Sequence, residues 1–225
     1  MKIEIWSDVA CPWCYIGSTN LMRALGSFDH RDEVRVVWRA FELDPAAPAE
    51  LARPYVEHLA HKYGTNLDGA RGMLNSLGMR GAAAGLDLRF DETRTGNTFD
   101  AHRLLHLAGE LGIQRTLVHR MYVATFSEGR PIGDGDNLVR LATDVGIPED
   151  AARQVLETDA FADAVRAQEA EAETLGIQGV PFFVFDRRVA VSGAQDPAAM
   201  LDTLQRAWRA GALADDPSAA LEVWS

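Results

Sequence analysis

The four residues Cys11-Pro12-Trp13-Cys14 follow an apolar–polar alternation that begins at Ile3 and precede a helical pattern. They hold the only two cysteines of the chain. Two thiols separated by two residues can close a disulfide across the first turn of a helix and reopen it. A short strand running into such a pair reads as the setting of a redox dithiol. With both cysteines in one motif, no disulfide can staple distant parts of the fold. A chain of 225 residues with 47% hydrophobic residues has core enough without one. A lone reactive pair also fits a reducing compartment, where protein disulfides are transient and catalytic.

The pattern around the motif has three parts. Residues 2–7 read as a strand, residues 12–26 as a helix and residues 34–39 as a second strand. Pro12 suits the first helical position, where its missing N–H leaves nothing unpaired, and Gly26 is a stop signal. Two strands joined by a helix form a βαβ unit with parallel strands. Helical periodicity then dominates, with expected helices over 49–63, 67–84, 98–111, 113–127, 135–145, 148–156 and 159–175. Gly64, Gly112, Gly146 and Gly176 stand as C-cap candidates, Asp134 and Asp159 as N-caps, and 85–97 as a loop. Strand signal returns in Val180-Pro181-Phe182-Phe183-Val184-Phe185, with a turn at 186–188 and a partner strand at 189–191. Asp196-Pro197 opens a last helix with Met200, Leu201, Leu204 and Trp208 on its apolar stripe. The expected class is α/β: βαβ and ββα halves sharing one four-stranded sheet, interrupted by a large all-helical insertion. The parts are 1–47, the insertion 48–176, 177–210 and an extension 211–225.

The formal net charge is −11, with no cluster of Lys and Arg. That charge argues against nucleic acid and anionic membrane surfaces as partners. No uninterrupted apolar stretch is long enough to span a bilayer. The first residues carry no signal-peptide pattern, so the expected location is the cytoplasm.

Three sets of residues together resemble the DsbA-like branch of the thioredoxin superfamily, and within it the FrnE branch. These are Ser7-Asp8-Val9-Ala10-Cys11-Pro12-Trp13-Cys14-Tyr15-Ile16-Gly17, then Asn97-Thr98 with Ala101-His102-Arg103-Leu104, and finally Gly179-Val180-Pro181-Phe182-Phe183-Val184 with Ser192-Gly193-Ala194-Gln195. The resemblance implies a thioredoxin fold (βαβ-ββα) with a helical insertion and a disulfide oxidoreductase or isomerase activity. It also implies a cis bond between Val180 and Pro181, facing the dithiol and leaving Val180 to bind substrate. Related members with another residue at the first cysteine position use glutathione in isomerising 2-hydroxychromene-2-carboxylate. That glutathione-dependent isomerisation of small aromatic substrates is the alternative activity, and Cys11 favours dithiol chemistry over it. Some relatives carry a second cysteine pair, and this chain has none.

The residues themselves assign roles. Cys11, at the start of the helix, is the expected nucleophile, because unpaired N–H groups and the helix dipole favour its ionised form. Cys14 then displaces the substrate from the mixed disulfide. A zinc-binding pair is the competing reading, but tetrahedral zinc needs two further ligands and no metal site is expected. Pro12 and Trp13 tune the pair; Trp13 either packs or offers a flat apolar surface beside the thiol. Asp8 either relays the proton of Cys14 or is a turn residue held by backbone N–H groups. His102 shares a helix face with His106; it stabilises the thiolate, binds a metal, or is a buried hydrogen-bonded histidine. His58 and His61 read as surface positions. The chemistry requires no cofactor. Glutathione is a possible redox partner, beside disulfide-containing proteins and other small thiols, and the chain is a monomer or a homodimer.

Overall fold

The computed structural model describes residues 1–51 and 53–215. Four strands form one mixed sheet: β1 (Lys2–Ser7), β2 (Arg35–Ala40), β3 (Phe182–Phe185) and β4 (Val189–Ser192), in the order β2-β1-β3-β4. β1 and β2 run parallel, with Ile5 opposite Trp38, and β1 and β3 antiparallel, with Ile5 opposite Phe183. The alternation of β1 sends its side chains to opposite faces of the sheet. Ile3 and Ile5 join Phe183, Phe185, Leu21, Met200 and Leu204 in the main core, under α1 (Pro12–Gly26) and α9 (Pro197–Asp215). Trp6 turns the other way, onto Val184, Ile177 and Ala172. Glu4 shares that second face and is buried among Lys2, Arg39 and Arg187. Burial pushes its carboxyl up, but hydrogen bonds from Arg187, Arg39 and Lys2 outweigh this and hold it at about 2.

The fold is a thioredoxin fold with a helical insertion. The insertion carries α2 (Tyr55–Lys62), α3 (Leu67–Ala83), α4 (Phe99–Glu110), α5 (Gln114–Phe126), α6 (Gly135–Asp144), α7 (Glu149–Glu157) and α8 (Ala162–Thr174). Gly64, Gly112, Gly146 and Gly176 follow the C-caps of α2, α4, α6 and α8, each at positive φ, where an L side chain is disfavoured. Asp134 caps α6, accepting a hydrogen bond from the Asn137 amide at 2.6 Å.

Three expectations need correction. The helix expected over 49–63 begins only at Tyr55. Pro54 disfavours helix in the residue before it, and it sits extended at the N-cap. The preceding segment is instead held against 95–97: Leu51 N–H donates to Thr95 (3.0 Å) and Asn97 N–H to Pro48 (2.8 Å). It passes so close to Gly96 and Gly133 that a Cβ on either would collide with the Ala49 carbonyl. Asp159 is not a side-chain cap. α8 starts after Phe161, which is left-handed at φ 63°, and Asp159 gives only its carbonyl to Ala162 N–H. Arg103 pins this turn by donating to the carbonyls of Val155, Thr158 and Ala160. Finally, α9 continues to Asp215, past the Gly211 at which an extension was expected, and 216–225 lie outside the described residues.

The insertion also finishes the sheet. β2 is an edge strand, whose outer N–H and C=O groups are otherwise free to pair with another chain. Gln114 of α5 accepts from Trp38 N–H and donates to Trp38 C=O, both at 3.0 Å. Gln168 of α8 accepts from Ala40 N–H at 2.7 Å, and Glu169 accepts from Glu42 N–H at 3.2 Å. Helical side chains thus stand in for a fifth strand. Gln114→Ala strips both partners from Trp38, and the expected cost is about 1–3 kcal/mol. The urea midpoint measures it, and an unchanged midpoint would show that this cap is dispensable.

Candidate active site

Cys11 is the N-cap of α1, in extended geometry, with Pro12 at the first helical position. Its amide donates to the Asp8 carbonyl at 3.1 Å, and its carbonyl accepts from Cys14 at 3.0 Å and from Tyr15 at 3.3 Å. This turn sets both cysteines on one face, and both are free thiols. Cys11 retains 5% exposure and Cys14 has none. The Cys11 thiol donates to the Val180 carbonyl at 3.7 Å, and the Val180–Pro181 bond is cis. Gly17, one turn after Cys14, lets α1 approach this bond: a Cβ there would lie 3.0 Å from Pro181 and 3.1 Å from Phe183. Trp13 turns outward, 37% exposed, with the Arg80 guanidinium 5.6 Å above its ring.

Burial pushes the Cys14 thiol well up, and the hydrogen bond and charge of Cys11 add to the rise. The Asp8 backbone amide pulls it down, while the Asp8 carboxylate opposes ionisation. Cys14 is therefore a protonated thiol at neutral pH.

Asp8 and His102 are brought together beneath the motif. Asp8 is buried, and its two oxygens accept from Ala10 N–H (3.1 Å) and Leu43 N–H (2.8 Å). His102 of α4, 2% exposed, places Nε2 3.7 Å from Asp8 Oδ1, at ion-pair rather than hydrogen-bond distance. Burial raises the Asp8 carboxyl, but His102 and the two amides win and hold it below the usual carboxylate range. Among the described residues, no three His, Cys, Asp or Glu side chains converge as metal ligands.

Cys11 opens onto a cavity of about 510 Å³. Its floor is Asp8, Cys11, Pro12 and Trp13; its walls are Leu43, Ala47 and Leu51 from the segment after β2, Tyr55 and Leu59 of α2, and Met73, Leu74 and Leu77 of α3. His58 is half-buried and lines this cavity with Lys62, rather than standing on the open surface, while His61 is exposed. Sequence reasoning missed the wall residues, because their apolar spacing on α2 and α3 reads as ordinary core. It also missed Tyr122 of α5, which stacks on Tyr15 with ring centroids 5.1 Å apart.

The model of the DSBA-like thioredoxin domain matches residues 2–205. The chain belongs to the DsbA-like thioredoxin family. This DsbA-like chain is 45% identical to a probable DsbA oxidoreductase of Streptomyces coelicolor, whose crystal structure superposes with a TM-score of 0.88 over 92% of this chain and 90% of that one. It is 27% identical over 196 residues to the uncharacterized protein YwbO of Bacillus subtilis strain 168, covering 86% of this chain and 91% of YwbO. With the cytosolic disulfide reductase DsbM of Pseudomonas aeruginosa, solved with GSH, it shares the fold at 18% identity and a TM-score of 0.63, over 93% of this chain and all of that one. Among the described residues of this DsbA-like protein, no helix is long and apolar enough to cross a membrane.

The Asp8 carboxyl titrates below its unfolded value of about 4, so its stabilisation is present at neutral pH and is lost as pH falls through the folded value. Asp8→Asn is expected to cost about 2 kcal/mol at pH 7, with the gap to wild type narrowing below about pH 4. Urea midpoints at pH 7 and pH 3 measure this, and an equal gap at both would exclude the charge as its source.

Proposed function

We propose that this DsbA-like protein exchanges thiols and disulfides through its CPWC pair, as an oxidoreductase or as an isomerase of disulfides. The observation that carries the reading is the asymmetry of the two sulfurs: Cys11 lines the cavity, and Cys14 lies behind it with no exposure. Cys11 attacks a substrate disulfide and one half of the substrate leaves. Cys14 then attacks Cys11 as its proton passes to the departing second half, which leaves as a thiol. The two sulfurs carry the electrons, so no cofactor is needed. His102 acts through Asp8 as a positioning residue, Val180 and Pro181 line the approach to Cys11, and Pro12 and Trp13 shape its surroundings.

The cavity is large enough for a small disulfide. Exposed Trp13, Tyr63 and Met73 offer apolar surface at its mouth for a polypeptide bearing a disulfide. The GSH held by DsbM supports glutathione as a redox partner. Two cysteines confined to one motif fit work in the cytoplasm.

Reduction of insulin by dithiothreitol tests the proposal. Cys11→Ser is expected to fall to the uncatalysed rate. Cys14→Ser is expected to lose about tenfold or more and to accumulate a mixed disulfide visible by mass spectrometry. Equal rates for the three proteins would end the proposal. Retained isomerisation of 2-hydroxychromene-2-carboxylate with glutathione in Cys14→Ser would favour the isomerase reading, which needs the cavity but not the second sulfur.

A further inference from the structure

A second cavity, of about 300 Å³, lies between α1 and α5 and shares no lining residue with the one before Cys11. Its volume is that of about ten water molecules, at the small end of ligand sites. Ser18 and Met22 stand one turn apart on α1, and Arg115, Val118 and Tyr122 follow at helical steps on α5, so each helix turns one face to it. The sheet supplies Trp38, the cross-strand neighbour of Ile5.

The two ends of this cavity differ in chemistry. At one end, Tyr122 stacks on Tyr15 at 5.1 Å and His119 meets the same ring edge-on at 5.8 Å. Ser18, on the wall, donates its hydroxyl to the Cys14 carbonyl at 2.8 Å. At the other end, Arg115 reaches the Met22 thioether at 3.9 Å, and Arg23 is the next residue of α1. Gln114, beside Arg115, holds the Trp38 backbone with two hydrogen bonds of 3.0 Å, which sets Arg115 and Trp38 at this same end. The first turn of α5 adds its own positive dipole there.

This end is a cationic place in an acidic chain. Among the described residues, no Asp or Glu lines the cavity, although acidic side chains outnumber Lys and Arg by 33 to 22. Arg23 and Arg115 are exposed and form no ion pair among the described residues; Arg23 donates to the Ala83 carbonyl at 3.2 Å, and a thioether is a weak acceptor for Arg115. Trp38 is 4% exposed, and its indole N–H has no acceptor among the described residues. A buried donor without an acceptor is costly, so a ligand that brings one gains by it.

We propose that this cavity binds a small apolar carboxylate of about eight carbons. The carboxylate lies at Arg115, Arg23 and the Trp38 indole N–H, and the apolar body runs past Met22 and Val118 toward Tyr122. Guanidinium groups keep their charge and match a carboxylate in a planar fork, which selects an acid over an alcohol of the same length. The bound molecule touches the helix that carries the dithiol without touching either sulfur, since neither cysteine lines this cavity.

The probe is octanoate, titrated into the full-length ¹⁵N-labelled protein. The readout is the Trp38 indole N–H resonance, identified by its loss in Trp38→Phe. The expected result is a saturable, one-to-one movement of this resonance. Arg115→Gln is expected to bind about tenfold more weakly, and octan-1-ol to bind the wild type about tenfold more weakly than octanoate does. Cys14→Ser alkylated at Cys11 is expected to keep the wild-type affinity, because the other cavity takes no part. A Trp38 resonance that octanoate leaves in place would overturn the inference, as would equal affinity for octan-1-ol or full affinity in Arg115→Gln. Binding abolished by alkylation of Cys11 would assign the carboxylate to the cavity before that sulfur and overturn it too. The thiol–disulfide reading stands or falls separately, on the insulin assay.

Discussion

One buried carboxylate joins the parts of this molecule that meet at the sulfurs. Asp8 takes hydrogen bonds from Ala10, in the turn that delivers Cys11, and from Leu43, in the segment that leaves β2 for the insertion. His102 brings α4 to the same group. Its backbone serves as well, since the Asp8 carbonyl accepts from the Cys11 amide. A charged acceptor holding two amides in a buried place fixes geometry more firmly than apolar packing, which tolerates sliding. The turn that carries Cys11, the exit from β2 and the insertion are thereby tied to one point.

The insertion is structurally part of the thioredoxin unit. It caps the β2 edge through Gln114, Gln168 and Glu169, and it walls the cavity before Cys11 through α2 and α3. It also brings Tyr122 onto Tyr15 and His102 to Asp8. Edge protection and site construction thus use the same helices. Loosening their contact with β2 would disturb the surroundings of Cys11 as well as the sheet.

Much of this was legible from local rules. The α1 boundaries follow from Pro12 and Gly26, and the four glycines after α2, α4, α6 and α8 mark where a left-handed residue is needed. Val180-Pro181 beside the cysteines follows from the family resemblance, not from pattern. The start of α2 was misread because the apolar spacing of 49–54 continues its helical period, whereas Pro54 and the contacts with 95–97 decide the backbone there. Asp159 was misread because a side chain suited to capping stands where Arg103, 56 residues earlier, holds the carbonyls of the turn. Tyr122 carried no local sign at all. One tyrosine on a helix looks like core, and only the tertiary fold stacks it on Tyr15 beside Cys14.

The two thiols stand in different surroundings, although only two residues separate them. Cys11 sits at the amino end of α1, in contact with the cavity and with the Val180 carbonyl. Cys14 is sealed inside, where burial, Cys11 and the Asp8 carboxylate all disfavour its charge. A buried thiol with so high a barrier to ionisation cannot compete for an incoming disulfide.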